Sequence, residues 1–217
     1  MAFDGITIAA MVSELNKNLS GGRINKIAQP ESDELLITGK GANGQKRLLL
    51  SASASLPLIY FTGKNRISPL TAPNFCMLLR KHIGSARITA IRQPGLERVV
   101  EFELEHLNEL GDVCHKVLIM ELMGKHSNII FCDDNNMILD SIKHVSCNVS
   151  SVREVLPGRP YFIPHTQDKL DPLTISREDF MEKVCGRSNA VSKALYQTLT
   201  GFSPVMAQEL CYRASID

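Results

Sequence analysis

The sequence lacks the features of a membrane-spanning protein, a zinc protein and the common hydrolases. No apolar run in its 217 residues approaches the roughly 18 residues of a membrane-spanning helix. Its six cysteines are scattered and include no Cys-x-x-Cys pair, so we expect free thiols in a reducing cytosol and no zinc. Neither His-Glu-x-x-His nor Gly-x-Ser-x-Gly occurs. The first residues also lack the basic and apolar regions of a secretory signal, which favours a cytoplasmic protein.

The net charge of +1 conceals an uneven distribution of charge along the chain. Residues 1–98 contain 13 Lys and Arg against 6 Asp and Glu, whereas residues 99–217 contain 11 against 17. A basic half favours a polyanionic partner such as nucleic acid. The alternative is that both halves carry ordinary solvated surfaces, and charge alone does not decide between the two.

The order of predicted elements favours an α+β fold with a mostly antiparallel sheet. A helix that Asp4 can cap is followed by strand-like runs, a helix over residues 74–83, and a second group of strands. Such grouping is unlike alternating βαβ units. The polar, proline-containing stretch 157–172 predicts a linker, and helical patterns follow it. We therefore expect domains at 1–172 and 173–217, and we expect the helical part to continue beyond the end of this chain.

Two short segments combine glycine with polar and charged residues at strand ends. The first contains Glu97-Arg98, where the carboxylate can accept from a base amine or ribose hydroxyl and the guanidinium can hold phosphate or stack on a base. The alternative for this pair is a surface ion pair at the start of a strand, worth at most about 1 kcal/mol. The second segment, Lys125-His126-Ser127-Asn128, either holds phosphate or closes a tight turn.

The predicted helix at 74–83 offers a further pair of cations. Apolar residues at helical spacing predict that one face is core, and Arg80 and Lys81 then point away from it. An exposed cation pair attracts a polyanion. The candidate binding residues are Glu97, Arg98, Arg80, Lys81, Lys125 and His126.

A series of short motifs extends along nearly the whole chain. In order they are Phe3-Asp4-Gly5, Gly21-Gly22-Arg23-Ile24, Leu48-Leu49-Leu50-Ser51-Ala52, Phe75-Cys76-Met77-Leu78-Leu79-Arg80-Lys81-His82, Gly95-Leu96-Glu97-Arg98, Met123-Gly124-Lys125-His126-Ser127-Asn128, Leu156-Pro157-Gly158 and Gly201-Phe202-Ser203-Pro204. Together they resemble the N-terminal region of the NFACT family. Its bacterial members are called RqcH and are also known as fibronectin-binding protein A (FbpA) N-terminal domains.

The resemblance implies a role in ribosome-associated quality control. Such proteins bind a large ribosomal subunit obstructed by peptidyl-tRNA and recruit alanyl-tRNA, and the stalled chain receives an alanine tail. The ribosome makes the bonds, so the resemblance implies a non-enzymatic, cytoplasmic RNA-binding factor without a cofactor. The family's tRNA-contacting pair is usually Asp-Arg, and Glu97-Arg98 replaces it here. The implied fold is similar to the N-terminal domain of formamidopyrimidine-DNA glycosylases, followed by a helix-hairpin-helix-like module.

Two other functions compete with this one. A DNA glycosylase of that fold needs an N-terminal proline amine as its nucleophile, and Ala2-Phe3 stand there, so we reject base excision. The second is a fibronectin-binding adhesin, which the family's other name implies, and it remains the alternative function.

Overall fold

The computed structural model describes residues 3–164 and 168–216. The sheet strands are β1 (Arg23–Ala28), β2 (Glu34–Gly41), β3 (Gly44–Ser51), β4 (Leu58–Phe61), β5 (Arg87–Arg92), β6 (Val99–Leu107), β7 (Val113–Glu121), β8 (Asn128–Asp133) and β9 (Ile138–Ser141). The helices are α1 (Gly5–Leu19), α2 (Asn74–Ile83), α3 (Arg177–Phe180), α4 (Val191–Thr198) and α5 (Pro204–Arg213). The predicted mostly antiparallel α+β architecture is therefore confirmed.

Local signals explain where the two long helices of the first part begin and end. The Asp4 carboxylate accepts a hydrogen bond from the Thr7 amide at 2.8 Å, which satisfies a free donor of the first turn of α1. After α1 the chain turns at Gly21, whose φ of 77° lies in the left-handed region that glycine tolerates. Pro73 precedes α2 and Gly84 follows it, as predicted.

All nine strands form one antiparallel sheet in the order β4-β3-β2-β1-β5-β6-β7-β8-β9. Flat strands at about 4.8 Å spacing would place β3 and β9 more than about 30 Å apart. Instead, the Lys143 ammonium, just after β9, donates to the carbonyl of Ala52, just after β3. The sheet is therefore curled until its two ends approach each other.

The inner face of the curled sheet holds the main hydrophobic core. Residues from the eight strands β1–β8 pack there with α1 and α2, and Ile8, Leu79 and Phe131 are among those that are fully buried. On α2, Phe75 and Leu79 face this core while Arg80 and Lys81 are exposed, as the helical spacing predicted. The core thus fixes the direction in which these cations point.

The outer face of β6–β9 is covered by the chain that follows β9. A second cluster there joins sheet residues such as Ile119 and Ile130 to Val155, Tyr161 and Ile163. Residues 157–163 are hydrogen-bonded to the sheet, for example from the Gly158 amide to the Ile138 carbonyl at 2.8 Å. The prediction of a linker across this stretch was wrong for that part of it, because its apolar side chains cover the sheet.

A buried ion pair anchors this covering segment. The Glu121 and Arg153 side chains are 0% and 9% exposed, and they lie 2.5 Å apart. The Tyr161 hydroxyl donates to the same carboxylate at 3.0 Å. Burial and the nearby Glu121 charge raise the pKa of Tyr161 well above its ordinary value. The phenol therefore stays protonated and keeps its role as a donor.

The last part of the described chain is helical. Ser176 caps α3, which widens into an i→i+5 turn at Met181–Cys185, and α4 and α5 pack around a separate small core. The Leu170 amide donates a hydrogen bond to the Thr198 carbonyl, which links the segment before α3 to the end of α4. The domain boundary at residue 172, the glycosylase-like fold and the helix-hairpin-helix character stay predictions. Within the described residues, no helix is long and apolar enough to cross a membrane.

Candidate nucleic-acid interface

The turn between β5 and β6 presents Glu97 and Arg98 at the mouth of a cleft. The turn closes through the Glu97 amide, which donates to the Pro94 carbonyl at 3.0 Å. Gly95 adopts a φ of 52° within it. The Gln93 side-chain amide bridges the Glu97 carbonyl and the Gly5 carbonyl, at 2.9 and 2.8 Å. The backbone of the pair is thus held firmly between the sheet and α1.

The cleft has a volume of about 870 Å³ and draws its lining from four separate segments of the chain. They are residues 3–5 at the start of α1, 94–98 in the turn, part of 163–171, and 200–203 before α5. Three of these segments carry motifs that the sequence analysis singled out, at 3–5, 95–98 and 201–204. The fold brings these distant motifs together at one place.

Two glycines make the close approach of these segments possible. A Cβ on Gly5 would lie 2.0 Å from the Leu96 carbonyl oxygen, and one on Gly201 would lie 2.5 Å from the Leu96 Cβ. The Gly5 amide donates to the Gly201 carbonyl at 2.9 Å. Backbone therefore packs on backbone beside the Glu97-Arg98 turn, and any larger residue would push the segments apart.

The N-termini of α1 and α5 meet at a hydrogen bond between their capping side chains. The Ser203 hydroxyl donates to the Asp4 carboxylate at 2.6 Å across a separation of 199 residues. Ser203 also accepts from the Met206 amide, so each residue caps its own helix while contacting the other. Burial alone would raise the pKa of Asp4, but hydrogen bonds from Ser203 and Thr7 outweigh it and lower that pKa. The carboxylate is therefore ionised at neutral pH.

Among the described residues, the cleft lining contains the cations Arg98 and Lys169. Arg98 is half-buried, and its carbonyl accepts from the Leu122 amide at 2.9 Å. Its guanidinium forms no ion pair or hydrogen bond with any residue in the described ranges. Lys169 donates to the Tyr196 carbonyl at 2.8 Å. Burial and the Arg98 charge lower the pKa of Lys169, while Glu97 acts in the opposite direction.

Carboxylates accompany these cations, so the cleft is mixed in charge. Glu97 and Asp171 join Asp4 in its lining. The Asp171 carboxylate lies close to Gly95, where an added Cβ would be 3.3 Å from its oxygen. Cations can hold phosphate, while carboxylate oxygens accept hydrogen bonds from base amines and ribose hydroxyls. This combination suits a nucleotide better than a simple anion.

The other four predicted residues lie outside the cleft lining. Arg80 is exposed on α2, yet its Nε donates to the Ile27 carbonyl at 2.8 Å and so links the helix to β1. Lys81 is exposed beside it. Lys125 and His126 are exposed on a single 3₁₀ turn, Gly124–His126. That turn begins two residues after Leu122, whose amide donates to the Arg98 carbonyl.

The two polar residues that follow this turn are buried and have structural roles. Ser127 and Asn128 are 1% and 2% exposed. The Ser127 hydroxyl accepts from the Met123 amide, and the Asn128 side chain bonds both backbone groups of Lys143. Ser127 therefore closes the turn, which was one of the two alternatives left open for this segment, and Asn128 links the start of β8 to the segment after β9.

Sequence reasoning missed Lys169, Asp171 and the contact between Asp4 and Ser203 as parts of the site. Lys169 and Asp171 belong to a stretch that was interpreted as a linker. The motifs around Asp4 and Ser203 were noted for the family resemblance, but neither residue was predicted to belong to the site. No local pattern relates residues so far apart in the chain.

Comparison with known proteins assigns the chain to a family. The sequence model described as NFACT N-terminal and middle domains matches residues 4–217. The Rqc2 homolog RqcH of Bacillus subtilis (strain 168) is 40% identical over 219 residues, covering 100% of this chain and 38% of the relative. The ribosome quality control complex subunit NEMF of Mus musculus is 26% identical over 175 residues, covering 81% of this chain and 16% of the relative. The chain thus spans less than two fifths of these relatives.

A solved structure has a fold similar to that of this chain. The N-terminal part of the fibronectin/fibrinogen-binding protein FBPS from Streptococcus suis superimposes with a TM-score of 0.90 at 37% identity. The match covers 100% of this chain and 81% of that structure. The chain therefore belongs to the NFACT family.

Proposed function

We propose that this chain is the tRNA-binding part of a ribosome quality control factor. The single observation that carries the proposal is the half-buried Arg98 in the lining of an open cleft, whose guanidinium has no hydrogen bond or ion pair with a described residue and which shares the cleft with Lys169. Burying a cation partly without a partner costs free energy, and an incoming phosphate would offset that cost. Arg98 would hold an RNA phosphate, and Glu97 and Asp171 would accept hydrogen bonds from a base or a ribose hydroxyl.

The ribosomal part of the proposal is supported by the relatives. The mouse relative is named as a subunit of the ribosome quality control complex. By the family resemblance, the whole protein would recruit alanyl-tRNA to a large ribosomal subunit that holds peptidyl-tRNA. The ribosome would then add the alanine tail, and the protein itself would not be an enzyme. It would work in the cytoplasm, bound to ribosomes.

The first test is an Arg98→Ala substitution. We expect it to weaken tRNA binding at least tenfold, because a charge-assisted phosphate contact is lost, while far-UV circular dichroism stays unchanged. Arg177→Ala is the matched control, since Arg177 is an exposed arginine of the helical part and is not part of the cleft lining. Equal tRNA affinity for the two variants would refute the role of Arg98.

The identity of the tRNA needs a separate experiment. Sequencing the RNA that co-purifies with the full-length protein from cells should show enrichment of alanine tRNA, and R98A should remove that enrichment. An unbiased tRNA population would contradict the alanyl-tRNA part of the proposal while leaving tRNA binding itself in place.

Fibronectin binding is the second candidate function. It is supported by the name of the Streptococcus suis protein, which is described as fibronectin/fibrinogen-binding. Surface-immobilised fibronectin should retain the chain at micromolar concentration if this function is real. Absence of retention, with tRNA binding intact, would remove this candidate.

A further inference from the structure

A second cationic surface lies on the outer face of the sheet, away from the cleft. Cross-strand register places Arg23 of β1 directly opposite Lys40 of β2 on one side and Arg87 of β5 on the other. In the next row, Lys26 lies opposite Thr38, and Thr38 lies opposite Arg47 of β3. We call this surface the outer basic face; its members are Arg23, Lys26, Lys40, Arg47 and Arg87.

Alternation along the strands fixes which way these side chains point. Ile24 is adjacent in the chain to Arg23, and Ile37 is adjacent to Thr38. Both isoleucines are buried in the main core, on the opposite face of the sheet. Arg23, Lys26, Lys40 and Arg87 are correspondingly exposed, and Arg47 is half-buried. The row Arg87–Arg23–Lys40 spans about 10 Å, given strand spacings near 4.8 Å.

The cations of the outer basic face form no ion pair with a described carboxylate. None of its five cations forms an ion pair with a carboxylate in residues 3–164 or 168–216, whereas nearby Arg92 pairs with Glu103 at 2.8 Å. Like charges directly opposite one another on a sheet are destabilising. Repulsion among the three cations in one row therefore destabilises the free protein, and a polyanion bound to this face would relieve that repulsion.

An acidic strand limits the outer basic face on one side. Glu105 of β6 lies opposite Arg87, and Glu101 and Glu103 follow on the same side of that strand. A bound polyanion would therefore lie across β1–β3 and β5 and stop before β6. On the other side, Tyr60 of β4 lies opposite Leu49 of β3 and is 39% exposed, which leaves an aromatic ring available for stacking.

We propose that the outer basic face binds the sugar-phosphate backbone of a structured RNA, at a site separate from the cleft. Three of its five cations are arginines, which suit phosphate because the guanidinium can bond two oxygens at once. A nucleic-acid duplex carries about one charge per 1.7 Å of axis, so 10 Å of it offers roughly six charges. From Arg87 the strand β5 runs roughly 20 Å to the cleft, so one RNA can reach both.

The inference rests on the proposal that the chain binds RNA, but its test separates the two sites. Fluorescence anisotropy is measured with a labelled 30-base-pair RNA duplex and with purified tRNA, over a series of NaCl concentrations. The variant R23Q/R87Q removes two cations of the outer basic face. The control R177Q/K193Q removes the same charge from exposed positions of the helical part. Circular dichroism verifies that every variant is folded.

We expect R23Q/R87Q to weaken duplex binding at least tenfold in 0.1 M NaCl and to reduce the slope of log K against log[salt] by about 2. The control should change the affinity less than twofold. R98A should leave duplex binding unchanged while it weakens tRNA binding. An R23Q/R87Q variant with the parent's affinity and slope would overturn the assignment of the outer basic face, even if R98A behaves as expected. The assignment would also be overturned if R23Q/R87Q lost binding to anionic lipid vesicles but kept its binding to RNA.

Discussion

Replacing Arg153 by methionine removes the cation from a buried ion pair and leaves the Glu121 carboxylate without its charged partner. Both side chains are almost wholly buried, at 9% and 0% exposure. Breaking such a pair by removing one member costs about 3–5 kcal/mol, because the remaining charge is desolvated without compensation. We expect R153M to lose that much of the free energy of unfolding, although Tyr161 still donates to the carboxylate.

Urea denaturation followed by far-UV circular dichroism measures this loss, since the sequence contains no tryptophan. The matched control is R159M, because Arg159 pairs with Glu154 at side-chain exposures of 58% and 27% and should contribute at most about 1 kcal/mol. The double variant E121M/R153M replaces the pair by apolar groups and should recover about 2 kcal/mol or more relative to additivity. An R153M variant within about 1 kcal/mol of the parent, or strictly additive variants, would refute the reasoning.

Three further predictions concern the cleft. G201A should destabilise the chain by about 1–3 kcal/mol more than G158A in urea denaturation, because both glycines have φ near 80° but only Gly201 would place a Cβ against Leu96; equal losses would contradict this. Since the pKa of Asp4 is lowered in the fold, its ionised form stabilises the fold above the ordinary pKa of 3.8 and this contribution is lost as pH falls further. D4N should therefore lose less stability than the parent between pH 5 and 3, and parallel pH profiles would argue against it. E97D should keep tRNA affinity within about threefold because it restores the family's usual residue, and complete loss of binding would undercut the assignment of this pair.

The helices and most strands could be predicted because their signals are local. The cap at Asp4 and the Pro73 and Gly84 at the ends of α2 are adjacent to the elements that they delimit. In the same way, the alternation of apolar residues predicted the strands and the class of the sheet. Residues 157–163 were misjudged because a proline-containing polar stretch is typical of a linker, and only the fold reveals the exposed sheet face that Tyr161 covers.

The candidate site was predictable in part. The sequence alone shows the chemistry of Glu97 and Arg98, and it predicts their position at the start of a strand. The contribution of Lys169 and the hydrogen bond between Ser203 and Asp4 depend on how the helical part packs against α1. Likewise, the cations of the outer basic face are scattered through the sequence, and only the strand register places Arg23 between Lys40 and Arg87.

The most direct test of the central claim is to map where tRNA touches the chain. Ultraviolet cross-linking of bound tRNA, followed by mass spectrometry of the cross-linked peptides, should identify residues 94–98 and the segment that contains Lys169. The R98A variant should lose these cross-links. Cross-links confined to the exposed surfaces of α4 and α5, with none in the cleft lining, would contradict the account.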